Sequence, residues 1–183
     1  VLTTLSGKLK SNIVGEKMVS TEIGVAKTKW DEIPLSKELN TNNLGIKIND
    51  ENNNEFSGGT AVNVGNPHVI FFLNEMSDYR IEEVGPVIEN DVIFPEKINV
   101  SLCKIVNKEL IDLVVWERGA GKTLACGTAA CAAAVAAVTN NNVSEKVRVR
   151  LPGGILDINY SKGKTVVMSG PTEINFNGEY KIN

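Results

Sequence analysis

The residues with the clearest chemical promise lie in one stretch, Gly119-Ala120-Gly121-Lys122-Thr123-Leu124-Ala125-Cys126-Gly127-Thr128. A glycine-rich approach lets the main chain pass close to a ligand. The alanine-dominated run from Leu124 to Val138 predicts a helix, because alanine has the best helix propensity. Cys126 then stands at its start. The first turn of a helix carries N–H groups without partners, and its dipole favours negative charge, so a carboxylate or phosphate fits there. The same field stabilises a thiolate, which predicts a Cys126 pKa below the free value. Thr128 adds a hydroxyl donor. Cys126 reads as a thiolate nucleophile or base beside an anion pocket. The plainer alternative is a small core cysteine followed by a packing glycine.

Other polar groups fall at strand ends. Glu117-Arg118 follows the apolar run Ile111 to Trp116. A carboxylate there could accept from an ammonium group, and an arginine could hold a carboxylate bidentately; an ordinary solvated pair is the alternative. Gly65-Asn66-Pro67-His68 is a turn signal in which Asn66 and His68 either face a ligand or shape the turn. Asn99 follows Phe94-Pro95-Glu96 and says less on its own. The spacing of Gly119 to Thr123 does not fit a phosphate-binding Walker loop. Cys131 lies five residues beyond Cys126, roughly 8–9 Å along a helix, too far for an unstrained disulfide. Cys131 and Cys103 read as core.

Composition excludes several classes of function. One histidine and three scattered cysteines build neither a multi-histidine metal site nor a four-cysteine zinc site. A net charge of −3 gives no basic footprint for nucleic acid or an anionic membrane. No apolar run approaches a membrane span, and no basic segment leads into an apolar one at the start. With an odd number of cysteines, these features predict a cytoplasmic chain with free thiols. The start at Val1 predicts a fragment or a processed product.

Strand-like alternation dominates the elements that must position these groups. Strands are expected over residues 1–9 (interrupted at Ser6-Gly7), 17–25, 44–48, 60–64 and 69–73, with a polar loop over 49–54. Residues 78–89 carry Ile81, Val84 and Ile88 at helical spacing. Hairpins are expected from 98–106 with 110–117 and from 146–151 with 155–160, and strands at 165–169 and 174–182. The 124–138 helix has no charged residue on any face, so it should be buried all round, with Asn140-Asn141-Asn142 as its stop. A small-residue helix among many strands predicts an α+β fold in which antiparallel strands wrap a central helix.

Taken in order, Gly65-Asn66-Pro67-His68, Phe94-Pro95-Glu96 with Asn99, Glu117-Arg118-Gly119-Ala120-Gly121, Ala125-Cys126-Gly127-Thr128, Leu151-Pro152-Gly153-Gly154 and Ser169-Gly170-Pro171 resemble the diaminopimelate epimerase family. The resemblance runs over essentially the whole chain. It implies a fold of two pseudo-symmetric lobes, each wrapping strands around a helix, with the substrate held between the two helix starts. Two cysteines, one per lobe, face opposite sides of the α-carbon. One thiolate removes the α-proton and the other thiol returns a proton. The resemblance implies no cofactor, neither PLP nor metal, and a small amino-acid substrate, diaminopimelate.

By this resemblance Cys126 is the second-lobe cysteine. Gly127 and Thr128 hold the reacting carboxylate. Glu117 and His68 lie near the reacting amino group and the thiols. Asn66, Asn99 and Arg118 recognise the distal end of the substrate. The first lobe, with its own cysteine, is missing from this sequence. Residues 23–171 are expected to form the second lobe, with 1–22 and 172–183 as strand remnants of the first. Their uncovered faces would invite self-association, as in a homodimer. With one catalytic cysteine the chain alone is expected to be inactive. Ala129 stands where the family commonly has glycine, and Lys122 where it has glutamate. The alternatives are a related cysteine-dependent racemase or isomerase, or a ligand-binding domain without turnover.

Overall fold

The computed structural model describes residues 1–4, 7–49, 53, 55–78 and 80–181. Leu5 and Ser6, Asp50, Glu51, Asn52 and Asn54 of the expected polar loop, Tyr79, and Ile182 and Asn183 at the C-terminal end lie outside the described residues.

The chain opens with an antiparallel ribbon of β1 (Leu2–Thr4), β2 (Gly7–Gly15) and β3 (Met18–Val25). A separate hairpin joins β4 (Ile46–Asn49) and β5 (Glu55–Gly58), the second of which the sequence pattern did not announce. Next come β6 (Thr60–Asn63) and β7 (Pro67–Phe72) around the Val64-Gly65-Asn66 turn. Helix α1 (Ile81–Glu89) leads to β8 (Asn99–Asn107) and β9 (Leu110–Glu117). The glycine-rich approach itself contains a short strand, β10 (Gly121–Thr123), which folds back on β9. Helix α2 (Gly127–Thr139), β11 (Lys146–Leu151), β12 (Gly154–Asn159) and β13 (Thr165–Pro171) complete the elements.

Ten strands form one path, β1-β2-β3-β13-β12-β11-β9-β8-β7-β6, with β10 beside β9. Its far end meets the chain just beyond β3. Lys27 and Asn63 exchange main-chain hydrogen bonds of 2.8 and 2.9 Å, so the sheet closes on itself. Helix α2 runs inside and contacts β6, β7, β8, β9, β11, β12 and β13. Every residue from Ala129 to Ala137 is fully buried. The all-round burial expected from the alanine run is what the structure shows.

Two pairs depart from the expected antiparallel wrapping. β7 pairs with β8 and β9 with β11 in parallel. Parallel neighbours need a crossover connection, and the two helices are those crossovers. Helix α2 links β9 to β11 through the inside, and α1 links β7 to β8 across the outside. Strands β7, β8 and β9 therefore carry cores on both faces. Ile70, Cys103, Leu113 and Val115 pack with α2, whereas Val69, Phe71, Val100 and Leu102 pack with α1, Ile33 and Leu35. This double burial explains the unbroken apolar run Val69–Leu73.

The Asn140-Asn141-Asn142 stop has a defined geometry. Asn141 adopts a φ of 59°. Its N–H bonds to Val138 O at 3.0 Å and that of Asn142 to Ala137 O at 2.9 Å, a Schellman closure of the helix end. The strand expected over 174–182 is not formed across the described residues up to 181. Both edges of β13 are already taken by β12 and β3, and among the described residues the last main-chain bond is Thr172 N–H to Lys17 O. Beyond it Ile174, Phe176 and Tyr180 are exposed. No helix among the described residues is long and apolar enough to cross a membrane.

The enclosure of α2 tolerates only small side chains. Ala133→Leu adds three carbons to a fully buried site. It is expected to cost about 1–3 kcal/mol or more by overpacking, read as a lower urea midpoint, and an unchanged midpoint would contradict the enclosure.

Candidate functional site

The strand register sets a row of polar side chains on the inner face of the sheet. His68 on β7 pairs with Asn99 on β8, and Val100 opposite Trp116 brings Glu117 on β9 into the next place. All three lie where α2 begins. Cys126 is the N-cap of α2, with extended φ/ψ of −144° and 110°, and its carbonyl accepts from Ala130 N–H at 3.1 Å. Leu124 and Ala125, expected within the helix, instead form its exposed approach.

Glycines let this approach dock. Gly153 N–H donates to Leu124 O at 2.7 Å, and a Cβ on Gly153 would sit 2.9 Å from that same oxygen. The Leu151-Pro152-Gly153-Gly154 turn is thus the bed on which the approach to Cys126 lies. Gly127 faces β13, where a Cβ would come within 3.0 Å of Met168 Sδ.

Cys126 is 8% exposed, and its Sγ lies 3.5 Å from Thr128 Oγ1. Its pKa is raised, which corrects the expectation of a lowered one. Burial is the largest cause. The Thr128 hydroxyl and the Ala129 N–H pull the other way, while the hydrogen-bonding neighbour Glu117 pushes upward by contact and charge. The helix field alone suggested a thiolate. Desolvation and a carboxylate neighbour outweigh it, so Cys126 is a protonated thiol at neutral pH. The other two thiols are fully buried. Burial also raises Cys103, and it pushes Cys131 up to about 12. No cysteine is in a disulfide.

His68 is fully buried and held neutral, its pKa lowered to about 3 by burial and then by the Arg118 charge. Its Nε2 lies 3.0 Å from Asn66 Oδ1, so it touches Asn66 and not the open cleft. Asn99 is 3% exposed, and both ends of its amide serve the main chain. Its Nδ2 donates to Pro67 O at 2.8 Å, and its Oδ1 accepts from Arg118 N–H at 2.9 Å. Asn99 therefore ties the start of β7 to the end of β9 beneath the cleft. The Arg118 guanidinium is exposed and donates to Glu96 O at 2.9 Å, which gives the Phe94-Pro95-Glu96 turn its role as a rest for that arginine.

A cavity of about 590 Å³ opens where the sheet closes, lined by Lys27, Asn63, Val64, Gly65, Asn66 and Thr128 among others. Of the residues expected at the site, Asn66 and Thr128 face this space, and Glu117, Cys126 and Gly127 stand at the helix start. His68 and Asn99 lie behind them. Lys27 was not anticipated, because only the closing bridge to Asn63 carries it across the mouth of the cavity. Glu89 was not anticipated either. It ends α1 like a solvent-facing acid, yet it is 5% exposed beneath the Glu117–Gly121 loop. Lys122 is explained by its partner, with Nζ 2.6 Å from Glu82 Oε1 on α1. Among the described residues no group of three His, Cys, Asp or Glu side chains is placed to hold a metal ion.

Two outcomes follow for solution work. Cys126 should react with iodoacetamide with a pH midpoint above that of an ordinary thiol, faster than Cys131 throughout, and Glu117→Gln should lower that midpoint. A Cys126 midpoint below the ordinary value would contradict the account. Because the folded pKa of His68 lies below its ordinary 6.5, the unfolded chain binds the extra proton. The stability His68 contributes is complete above about pH 6.5 and is lost as pH falls toward 3. A urea-midpoint series over that window should be flatter for His68→Gln than for the unaltered chain.

Residues 60–174 match the diaminopimelate epimerase family. A diaminopimelate epimerase of Pelagibacter ubique is 51% identical over 170 residues, covering 93% of this chain and 62% of that protein. One of Methylocella silvestris is 42% identical over 178 residues, covering 96% and 61%. The chain thus spans about three fifths of the length of these curated relatives. Among solved structures, a predicted epimerase of Pseudomonas aeruginosa aligns with a TM-score of 0.54 at 14% identity, over 89% of this chain and 58% of that one. A probable proline racemase of Agrobacterium radiobacter aligns with a TM-score of 0.58 at 10% identity, over 92% and 56%. These two share the fold. With the family match extending over residues 60–174, more than half of its length, this chain belongs to the diaminopimelate epimerase family.

Proposed function

We propose that these 183 residues supply one half of the reacting centre of a diaminopimelate epimerase, which interconverts LL- and meso-diaminopimelate by moving the α-proton. The observation that carries this reading is the placement of Cys126. Of the three thiols, it alone has any exposure, and it stands at the start of an enclosed helix beside Glu117 and Thr128.

In this reading the substrate α-carboxylate accepts hydrogen bonds from the first N–H groups of α2 and from the Thr128 hydroxyl. A thiolate from a cysteine outside these residues takes the α-proton. The C–H bond breaks, an S–H bond forms, and the electron pair stays on carbon, spread into the carboxylate. Fixed N–H dipoles stabilise that charge as it develops. The Cys126 thiol then gives its proton to the opposite face of the same carbon and becomes the thiolate. Its raised pKa suits the donating role. One thiol and one thiolate are needed at any moment, so the two environments must differ.

Glu117 accepts from the α-ammonium group. Asn66 and Arg118 meet the distal end of the substrate, with His68 holding Asn66 and Asn99 holding the Arg118 main chain. Residues 23–171 act as the second lobe, and 1–22 and 172–183 belong with the first.

The test grafts these residues in place of the matching segment of the Pelagibacter ubique relative. The graft should incorporate solvent deuterium at the α-carbon of both diaminopimelate isomers, and Cys126→Ala should abolish this. The 183-residue polypeptide alone should incorporate none. Incorporation into proline or 4-hydroxyproline with none into diaminopimelate would replace the substrate assignment, and turnover by the polypeptide alone would remove the need for a second thiol.

A further inference from the structure

The loop that carries Glu117 and Arg118 is gripped from outside by α1. A buried carboxylate is costly unless its oxygens are well partnered, and Glu89 finds its partners in this loop. Its Oε2 accepts from the Trp116 indole N–H at 2.7 Å, and its Oε1 accepts from the Gly119 main-chain N–H at 3.0 Å. Lys97 Nζ stands 3.9 Å from Oε1. The two loop donors fall on either side of the Glu117–Arg118 dipeptide, one residue before it and one after. Gly119 turns the chain with a φ of 74°, and Ala120 N–H closes the turn on Glu117 O at 3.0 Å.

The grip has a rigid base. Helix α1 lies so close to β9 that a Cβ on Gly85 would sit 2.6 Å from Trp116 Cγ. At the other end of α1, the Glu82–Lys122 ion pair fastens β10 just past the loop. Because both Glu89 oxygens accept from donors, a neutral amide at this place would turn an N–H₂ group against one of them.

We propose that Glu89 is a positioning residue, which fixes Glu117 and Arg118 relative to Cys126 by clamping the indole and the main chain on either side of that dipeptide. The proposal rests on the epimerase reading for its meaning in catalysis, but its test needs no substrate. The ionisable groups facing the Cys126 thiol are Glu117 from β9 and Cys131 further along α2. If the clamp holds Glu117 in place, loosening it must change the thiol through Glu117 and by no other route.

The experiment measures the pH dependence of Cys126 alkylation by iodoacetamide in the 183-residue chain and in Glu89→Gln, Glu117→Gln and the double variant. Glu89→Gln should move the midpoint down toward that of Glu117→Gln, and should add no shift when Glu117 is already Gln. No shift in Glu89→Gln, or an equal shift in both backgrounds, overturns the proposal; a carboxylate that merely stabilises the fold would lower the melting temperature and leave the midpoint alone. Labelling of Cys103 or Cys131 would show that a variant has unfolded. The decision then rests on the unaltered chain, where the Gly119 amide should exchange with deuterium at least about tenfold more slowly than a free amide. Exchange at the free rate overturns the clamp. A failed clamp with an active graft leaves the epimerase reading intact, and an inactive graft with a working clamp does the reverse.

Discussion

A helix can be enclosed on every side only if nothing long projects from it. Between Gly127 and Thr139 no side chain is larger than valine, and the rest of the architecture depends on that. Strands approach α2 from all directions, and the ring closes. The cost is a helix with little side-chain surface of its own to bury. The compensation comes from the strands, whose Ile70, Leu113, Val115, Val149 and Val166 fill the space around it. An enclosed helix also has its ends fixed. Its C-terminus is closed by its own main chain at Asn141 and Asn142, and its first turn opens toward Cys126, with the buried polar groups His68, Asn99 and Ser101 on the strands nearby.

The electrostatics of the site follow from that arrangement and not from the helix alone. An isolated helix start would lower a thiol pKa. Here the thiol is shielded from water and faces a carboxylate, and both effects act against the charged form. His68 shows the same ranking, since burial outweighs the basicity of imidazole and leaves it neutral. The second layer behind the cleft is thus made of neutral or fully bonded groups. The charges of Arg118 and Lys27 stay at the rim, where water can reach them.

Much of this was legible in the sequence. The alanine run announced an enclosed helix, and the order of the polar motifs announced which groups gather at its start. What escaped was whatever depends on residues distant in the chain. The parallel pairs could not be read locally, because strand alternation carries no direction. The tail beyond Thr172 has strand-like alternation, but both edges of β13, the strand it follows, are already taken. The Cys126 pKa failed for the same reason, since the nearby helix could be seen and the packing around the sulfur could not. Glu89 has the pattern of an exposed helix end, and only Gly85 hints that something large, Trp116, must pass beneath that helix.

The closing of the ring has one further consequence. Most neighbouring strands are joined by ladders several residues long, but the final join, between Lys27 and Asn63, is a single bridge. The chain that follows Lys27 reinforces it with irregular bonds, from Asn63 Nδ2 to Glu32 O, from Ala61 N–H to Thr41 O and from Leu44 N–H to Gly59 O. This join lies on the wall of the cleft, with Asn66 and Thr128 beside it. The seam of the ring is therefore also the mouth of the cavity. One sheet thus serves two ends, with regular ladders that enclose the helix and an irregular seam that leaves room for a cavity.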